Sequence, residues 1–306
     1  MSTFIDQPAP QNEIGRWHAL RLFLHSVEDV RRLLQPENLA IRLNLLDELD
    51  VIIGDVDLGA LKTCEEPEIV ARVRTLICQL ETVNELLYGV ARAEISLQGN
   101  SPLMHRWLIE LADEGDAEGP RPGLGFDLLD EIVSGVLQLR GPQESRLLPS
   151  PEMVFYQPTP VRHILDLIAA CNFCPGDIFV DLGSGLGHVP LLVSILKGVR
   201  TLGVEIQSDH AVAAQDCARS LNLSGVRFVA DDAQLANIST GTVFYLFSPF
   251  TGSILKNVLN RLHRESKDRQ IKVCSLGPTT RTLQSQAWLT AKRQSNVEQI
   301  ALFQSQ

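Results

Sequence analysis

The sequence has few cysteines, few aromatic residues and no long apolar run. Six scattered cysteines in 306 residues argue against a disulfide-stabilised secreted scaffold. No stretch approaches the roughly 20 apolar residues of a membrane-spanning helix. The first residues lack the basic start and apolar core of a signal peptide. No membrane association is predicted, and the cytoplasm is the expected compartment.

Positive charge is scarce in the first half of the chain. Residues 1–150 contain 25 acidic and 13 basic side chains, and the whole chain has a net charge of −10. Because binding to nucleic acid depends on cations that meet phosphates, a nucleic-acid partner is not expected. The acidic half could attract a basic protein, although a solvated helical surface is the simpler interpretation.

Several motifs of metal-dependent and hydrolytic chemistry are missing or incomplete. There is no HExxH, no GxSxG nucleophile elbow and no P-loop, so hydrolase and kinase functions have no motif support. Cys171 and Cys174 form one Cys-x-x-Cys pair, but no second pair completes a zinc site. We therefore predict a structural role for these two cysteines and no bound metal.

The spacing of apolar residues divides the chain in two. Before residue 140, apolar residues recur at helical spacing. Residues 140–151 are rich in proline and polar residues and are typical of a linker. After the linker, short apolar strands alternate with helices. The pattern predicts an all-helical domain over 1–140 and an α/β domain over 152–306 with a Rossmann-like, mostly parallel sheet covered by helices on both faces.

The individual elements of both halves follow from the same patterns. Helical runs before the linker are predicted at 20–34, 43–52, 69–87, 102–113 and 126–139. Strands are predicted at 178–182, 201–205, 226–230, 242–247 and 270–276, with helices at 161–170, 187–197, 209–221 and 252–265. A last strand at 300–303 is predicted to lie antiparallel at or near the edge of the sheet.

A glycine-rich loop follows the first of these strands and opens a helix. It runs from Asp181 to His188 and contains Gly183, Gly185 and Gly187. A tight strand-to-helix turn needs glycine, and the helix start offers free N–H groups to a ligand. The spacing is GxGxG and not the GxGxxG of dinucleotide sites. Asp181 would also repel a pyrophosphate, whereas it would attract an ammonium or a sulfonium group.

Acidic residues also end the second and third strands. Glu205 is placed to accept hydrogen bonds from two ribose hydroxyls. The sequence Asp231-Asp232-Ala233 offers a carboxylate to an adenine amino group, and we prefer Asp232. Together the three acids predict S-adenosylmethionine as the cofactor, with a dinucleotide or a fold without a ligand as alternatives. The predicted cofactor contacts in this part of the chain are Asp181, Gly183, Ser184, Gly185, Gly187, Glu205, Ile206, Asp232 and Ala233.

With these motifs, residues 152–306 resemble the class I (seven-strand) S-adenosylmethionine-dependent methyltransferases. They are most similar to the non-SET histone-lysine methyltransferases of the disruptor-of-telomeric-silencing type. The resemblance rests on the glycine loop, on Glu205 and on Tyr156-Gln-Pro-Thr159, which lies 25 residues before Asp181. In that family a Tyr-x-x-Thr loop lies over the cofactor. The resemblance therefore implies that Tyr156, Gln157 and Thr159 contact the methionine part of the cofactor.

The end of the fourth strand departs from that family. The family has an asparagine pair followed by phenylalanine at this place, facing the methyl group. This sequence keeps Phe250 but has Ser248 and Pro249 in place of the asparagines. The resemblance implies that these three residues and Tyr156 form the catalytic side of the site. The methyl acceptor stays open between a protein lysine and a small-molecule nitrogen or oxygen nucleophile.

The expected reaction is an in-line displacement at the sulfonium methyl group, in which the protein orients the reactants and excludes water. An apolar mouth would favour a neutral amine. It would be built from Phe155, Tyr156, Tyr245, Phe247 and Phe250. Neither His188 nor His163 is predicted to be a general base. The helical domain would cover the pocket or form a homodimer. The alternative function is a non-catalytic S-adenosylmethionine sensor or an interaction scaffold.

Overall fold

The computed structural model describes most of the chain. The described residues are 24, 27–57, 67–116, 125–139, 151–154, 156–293 and 296–306. Phe155, which was predicted to line the aromatic mouth, lies outside them, and so do residues 140–150 of the predicted linker. The domain boundary at 140–151 therefore stays a prediction.

The chain forms two compact units, Met1–Val90 and Ala91–Gln306. The division falls inside a long helix, and the helices after it belong to the same unit as the sheet. The predicted helical character of the N-terminal region is confirmed. Its helices are α1 (Val27–Leu33), α2 (Leu39–Asp57), α3 (Pro67–Gln98), α4 (Pro102–Asp116) and α5 (Leu128–Leu137), with a short 3-10 helix at Pro36–Asn38.

The first unit is held together by leucine packing and by one buried cation. Leu33, Leu49 and Leu80 are completely buried in its core. The guanidinium of Arg42 donates hydrogen bonds to the Leu33 carbonyl at 2.5 Å and to the Asn84 side chain at 2.7 Å. Burial lowers the pKa of Arg42. Because a buried cation without acceptors is costly, these bonds fix α2 against the end of α1.

The second unit contains a seven-stranded sheet in the order β3-β2-β1-β4-β5-β7-β6. Strands β1 to β5 are parallel, and β7 runs antiparallel to both β5 and β6. The predicted Rossmann-like sheet is confirmed. The remaining elements are α6 (Val161–Cys171), β1 (Ile178–Leu182), α7 (His188–Lys197), β2 (Arg200–Glu205), α8 (Ser208–Ser220), β3 (Val226–Ala230), β4 (Val243–Leu246), α9 (Gly252–Asp268), β5 (Lys272–Ser275), α10 (Thr279–Gln284), β6 (Leu289–Arg293) and β7 (Ala301–Ser305).

The central strands are buried on both faces. All four residues of β4 are buried, as are the last four of β1. Such strands form continuous apolar runs, which is typical of a parallel sheet between two helical layers. The edge strand β6 was not predicted, because only Leu289 of its five residues is buried and no apolar alternation exists. The short helix α10 was also missed.

The register of the sheet brings the predicted site residues to one edge. Asp181 pairs with Gly203 of β2 and with Tyr245 of β4, so the carboxyl ends of these parallel strands are level. In open α/β sheets, ligands bind outside the carboxyl ends of the strands. In the part of the chain that the structure describes, no helix has the length and apolar character to cross a membrane.

Candidate functional site

A cavity of about 610 Å³ lies at the carboxyl ends of the strands. This volume is in the usual range of small-molecule sites, which is about 300–1,000 Å³. Of the predicted site residues, all except Gly185 and Gly187 line it. The lining includes Tyr156, Gln157, Thr159, Asp181, Gly183, Ser184, Glu205, Ile206, Asp232, Ala233, Ser248, Pro249 and Phe250. The structure thus places both predicted groups, from the cofactor side and from the catalytic side, in one cavity.

The cavity has two chemically different sides. The acidic side, over β1 to β3, is lined by Asp181, Glu205, Asp231 and Asp232. The uncharged side, over β4 and β5, presents apolar and hydroxyl side chains and, among the described residues, no Asp, Glu, Lys, Arg or His. It consists of Met153, Val154, Phe247, Ser248, Pro249, Phe250, Thr251, Ile254, Leu255, Pro278, Thr279 and Thr282.

Glu205 holds the glycine loop in place. One carboxylate oxygen accepts a hydrogen bond from the Gly185 N–H at 2.8 Å, and the other accepts from the Gln207 N–H at 2.8 Å. The side chain is nearly buried, with 7% of the residue exposed. Because each carboxylate oxygen can accept a second hydrogen bond, Glu205 still has capacity for two donors from a ligand.

Asp181 is a buried acid that lacks a donor. Only 3% of the residue is exposed, and no group among the described residues donates a hydrogen bond to its carboxylate. Burial, and after it the charge of Glu205, raises the pKa of Asp181 well above its ordinary value. A buried carboxylate in this state is stabilised by a cation, so the position suits a positively charged ligand group.

The acids that follow β3 differ in how they are held. The Asp232 carboxylate accepts a hydrogen bond from the Gln234 N–H at 2.8 Å and another from the Gln234 side chain at 3.1 Å. Asn257 of α9 in turn donates to the Gln234 side chain at 2.8 Å. Asp231 is more exposed and accepts from the Asp232 N–H. Sequence reasoning missed Gln234 and Asn257, because both look like ordinary polar surface residues.

The segment 152–159 is termed the entry loop, and of its described residues Tyr156 covers the glycine loop. The ring of Tyr156 lies so close to Gly185 that a Cβ added there would be 2.0 Å from Tyr156 Cε2. The Tyr156 hydroxyl is 3.3 Å from Nδ1 of His188. Burial raises the pKa of Tyr156. Thr159 hydrogen-bonds the buried Tyr245 hydroxyl at 3.2 Å. Gly185 is therefore not in the cavity wall because the Tyr156 ring covers it.

The imidazole of His188 should make the stability of the protein depend on pH. Burial lowers its pKa to about 4, from 6.5. The unfolded chain therefore takes up a proton below about pH 6.5, whereas the folded protein does so only near pH 4. The free energy of unfolding should fall over this window by about 3 kcal/mol from this residue. Urea unfolding at pH 7.5 and 5 should show a smaller fall in His188→Gln. An equal fall in both proteins would contradict the assignment.

At the end of β4, the Ser248 hydroxyl is already hydrogen-bonded within the protein, and Pro249 is packed against the glycine loop. Ser248 has a left-handed backbone, with φ of 44°. Its hydroxyl donates to the Leu276 carbonyl at 3.0 Å and accepts from the Thr279 N–H at 3.1 Å. Pro249 packs on Gly183, where an added Cβ would be 2.4 Å away. Because its proton is engaged, the Ser248 hydroxyl shapes the wall and is not poised as a nucleophile or base.

Three further residues that the sequence analysis considered lie outside the cavity wall. His163 is in α6 and is not among the lining residues, and burial lowers its pKa. Cys171, at the end of α6, is buried with its sulfur 3.3 Å from that of Cys274, whereas Cys174 is exposed. The two cysteines of the Cys-x-x-Cys pair therefore point into different environments.

Comparison with known families gives one match in sequence. Residues 152–238 match the family model described as histone methylation protein DOT1. The region resembles the DOT1 family. With the strand order above, the sheet-containing part of Ala91–Gln306 has the fold of the class I methyltransferases, and we call it the DOT1-like domain. The matched segment ends before β4, so it includes the acidic side of the cavity but not the end of β4. No curated protein matches the chain.

Several solved structures align with part of this chain at low TM-scores. An RNA methyltransferase from Salinibacter ruber in complex with S-adenosyl-L-homocysteine is 21% identical and aligns over 49% of this chain and 92% of its own, with a TM-score of 0.39. The METTL16 methyltransferase domain is 16% identical over 58% of this chain and 92% of its own (TM-score 0.38). The human methyltransferase 10 domain containing protein is 18% identical, over 57% and 91% (TM-score 0.36). This level of similarity says nothing about substrates.

Proposed function

We propose that the DOT1-like domain binds S-adenosylmethionine and transfers its methyl group to a nucleophile that enters over β4. One observation carries the proposal. Asp181, Glu205 and Asp232 come from the ends of three neighbouring strands and line the same side of one cavity. A ligand with a cationic amino acid part, a ribose and an adenine has groups that suit these three acids in turn.

Each acid has a separate part in this proposal. Asp181 would hold the ammonium group, since its buried carboxylate has no donor among the described residues. Glu205 would accept from the ribose hydroxyls with its remaining lone pairs. Asp232, which lines the cavity as Ile206 does, would accept from the adenine amino group. When bound, the cofactor supplies an electrophilic methyl group on its sulfonium.

The uncharged side of the cavity supports an acceptor that reacts in its neutral form. Desolvation between apolar walls disfavours the ammonium form of an amine, so the walls themselves lower its pKa. Phe247, Pro249 and Phe250 would orient the acceptor and exclude water. A protein lysine and a small-molecule nitrogen or oxygen nucleophile both satisfy this requirement.

A second candidate is a protein that binds S-adenosylmethionine without turnover. The end of β4 favours it, because Ser248 and Pro249 stand where the histone-lysine methyltransferase family has an asparagine pair. The Ser248 hydroxyl is also already hydrogen-bonded to the Leu276 carbonyl and the Thr279 N–H. Release of S-adenosylhomocysteine during incubation with a peptide and metabolite mixture separates the two candidates. Sustained release supports transfer, whereas tight binding without release supports the sensor.

Calorimetric titration with S-adenosylmethionine and S-adenosylhomocysteine tests the cofactor site. We expect Asp232→Ala to weaken binding by roughly tenfold to a hundredfold, as expected for the loss of one charge-assisted hydrogen bond. Asp231→Ala is the matched control and should change affinity by less than about threefold. The reverse order would show that Asp231 is the adenine contact. Absence of binding by folded wild-type protein would overturn the proposed function.

A further inference from the structure

The start of α9 is capped from a distant part of the chain. Its own N-cap residue, Thr251, makes no side-chain capping hydrogen bond. Instead the Glu152 carboxylate accepts from the Ser253 N–H at 3.1 Å, the Ser253 hydroxyl at 2.7 Å and the Ile254 N–H at 3.1 Å. Glu152 thus satisfies free N–H groups at the helix start from about 100 residues away in the sequence.

The same contact joins the entry loop to the uncharged side of the cavity. The Glu152 carbonyl accepts from the Thr251 N–H at 2.8 Å, and the Val154 N–H donates to the Pro249 carbonyl at 3.2 Å. Met153 also forms a β-bridge with Phe250. The segment that follows β4 therefore supports the first half of the entry loop. Among the described residues of this loop, only Glu152 forms side-chain hydrogen bonds with α9.

The second half of the entry loop reaches the acidic side. Tyr156 covers Gly185, and Gly185 donates to Glu205. Thr159 is bonded to Tyr245 at the centre of the sheet. Because the loop is short, a displacement at Glu152 would be transmitted to Tyr156 four residues later. One carboxylate thereby links the cover of the cofactor site to the wall that faces the acceptor.

We propose that Glu152 is a positioning residue that fixes the entry loop over the cavity, and that its main effect is on cofactor affinity and not on folding. The proposal rests on the proposed function for its ligand. The Ser253 hydroxyl and the two N–H groups lower the pKa of Glu152, so its carboxylate is ionised at neutral pH. An anion at a helix N-terminus is also favoured by the helix dipole.

Glu152→Gln is the variant that tests this role, because it keeps the size but removes the charge and one acceptor. Without ligand, amide hydrogen exchange should become faster in the entry loop and in the first turn of α9. Affinity for S-adenosylhomocysteine should fall by roughly fivefold to thirtyfold, which is less than the loss of a direct charged hydrogen bond to the ligand would give, because Glu152 acts through the entry loop. Glu298→Gln, at an exposed glutamate of the same unit, is the matched control and should leave both measurements unchanged.

A second variant separates positioning from simple helix capping. Asparagine is a strong N-cap residue, so Glu152→Gln/Thr251→Asn supplies α9 with a cap from its own chain. Exchange in the first turn of α9 should then return to the wild-type rate, whereas the fast exchange of the entry loop and the weak affinity should persist. Because Thr251 itself lines the cavity, the single variant Thr251→Asn shows whether this substitution alone changes the affinity. Recovery of affinity in the double variant would overturn the proposal.

The two proposals fail in different ways. If wild-type protein binds no S-adenosylhomocysteine, the proposed function is wrong, but exchange of the entry loop in ligand-free protein still tests the Glu152 contact. If wild-type protein binds and Glu152→Gln shows unchanged loop exchange and unchanged affinity, the positioning role is wrong and the proposed function stands.

Discussion

Replacing Glu205 with alanine should weaken binding of S-adenosylhomocysteine by roughly a hundredfold or more, because the carboxylate has two tasks. It holds the N–H groups of Gly185 and Gln207, each at 2.8 Å. In the proposed complex it also accepts from two ribose hydroxyls. Hydrogen bonds to a charged group contribute about 1.5–3 kcal/mol each, so the loss of two costs about 3–6 kcal/mol. Calorimetric titration of the variant measures this effect directly.

A graded pair of variants shows whether charge or shape accounts for the loss. Glu205→Gln keeps one oxygen but turns an amide NH2 toward a backbone N–H, so its affinity should lie between those of the wild type and the alanine variant. Thermal unfolding of both variants establishes that the domain is folded. An affinity within about threefold of wild type for Glu205→Ala would remove Glu205 from the cofactor site.

The parts of the fold that the sequence predicts well are those where burial dictates composition. The central strands β1 and β4 are mostly apolar because helices cover both faces of a parallel sheet, and this pattern is local. The acids at 181, 205 and 232 were found for a similar reason, since the carboxyl end of a strand is recognisable from the end of an apolar run. The edge strand β6 has one buried residue and so leaves no such pattern.

The contacts that organise the site were not predictable, because they join residues far apart in the chain. Glu152 meets Ser253 across 101 residues, and nothing in either local sequence indicates the pair. The same holds for Asn257, which reaches Asp232 through Gln234. Ser248 was predicted on the catalytic side, and it does line the cavity, but only the structure shows that its hydroxyl is engaged by the loop after β5.

The two sides of the cavity differ in how similar their sequences are to the DOT1 family. The match to the DOT1 model covers 152–238, which includes the entry loop, the glycine loop and all the acids. The end of β4 lies beyond it and has a different sequence. The part that matches the DOT1 model therefore contains the cofactor side of the cavity, and the part beyond the match contains the acceptor side. This division supports the cofactor assignment more strongly than any choice of acceptor.

The contact between Tyr156 and Gly185 leads to the second large expected effect. An alanine Cβ at position 185 would be 2.0 Å from Tyr156 Cε2, well inside any allowed contact. Two contacts hold the ring in this position, since its hydroxyl is 3.3 Å from Nδ1 of His188 and its centroid is 5.1 Å from that of His210. We therefore expect Gly185→Ala to displace the entry loop and to weaken S-adenosylhomocysteine binding by roughly thirtyfold or more, equivalent to about 2 kcal/mol.

A control at another glycine separates this clash from backbone strain. Gly185 has φ of 51°, and Gly198, at the end of α7, has φ of 65° with nothing within 4 Å of an added Cβ. Both alanine variants should lose about 1–2 kcal/mol of stability from the left-handed backbone, but only Gly185→Ala should lose affinity.

A double variant tests the partner directly. Tyr156→Ala removes the three atoms that lie nearest to the extra methyl group at position 185, so Gly185→Ala/Tyr156→Ala should bind within about threefold of Tyr156→Ala alone. If the two substitutions instead weaken binding by independent factors, the glycine is needed for the ligand or for the Glu205 hydrogen bond. In that case, removal of the ring would not have relieved the loss of affinity. The close contact with the Tyr156 ring would then not explain why position 185 is a glycine.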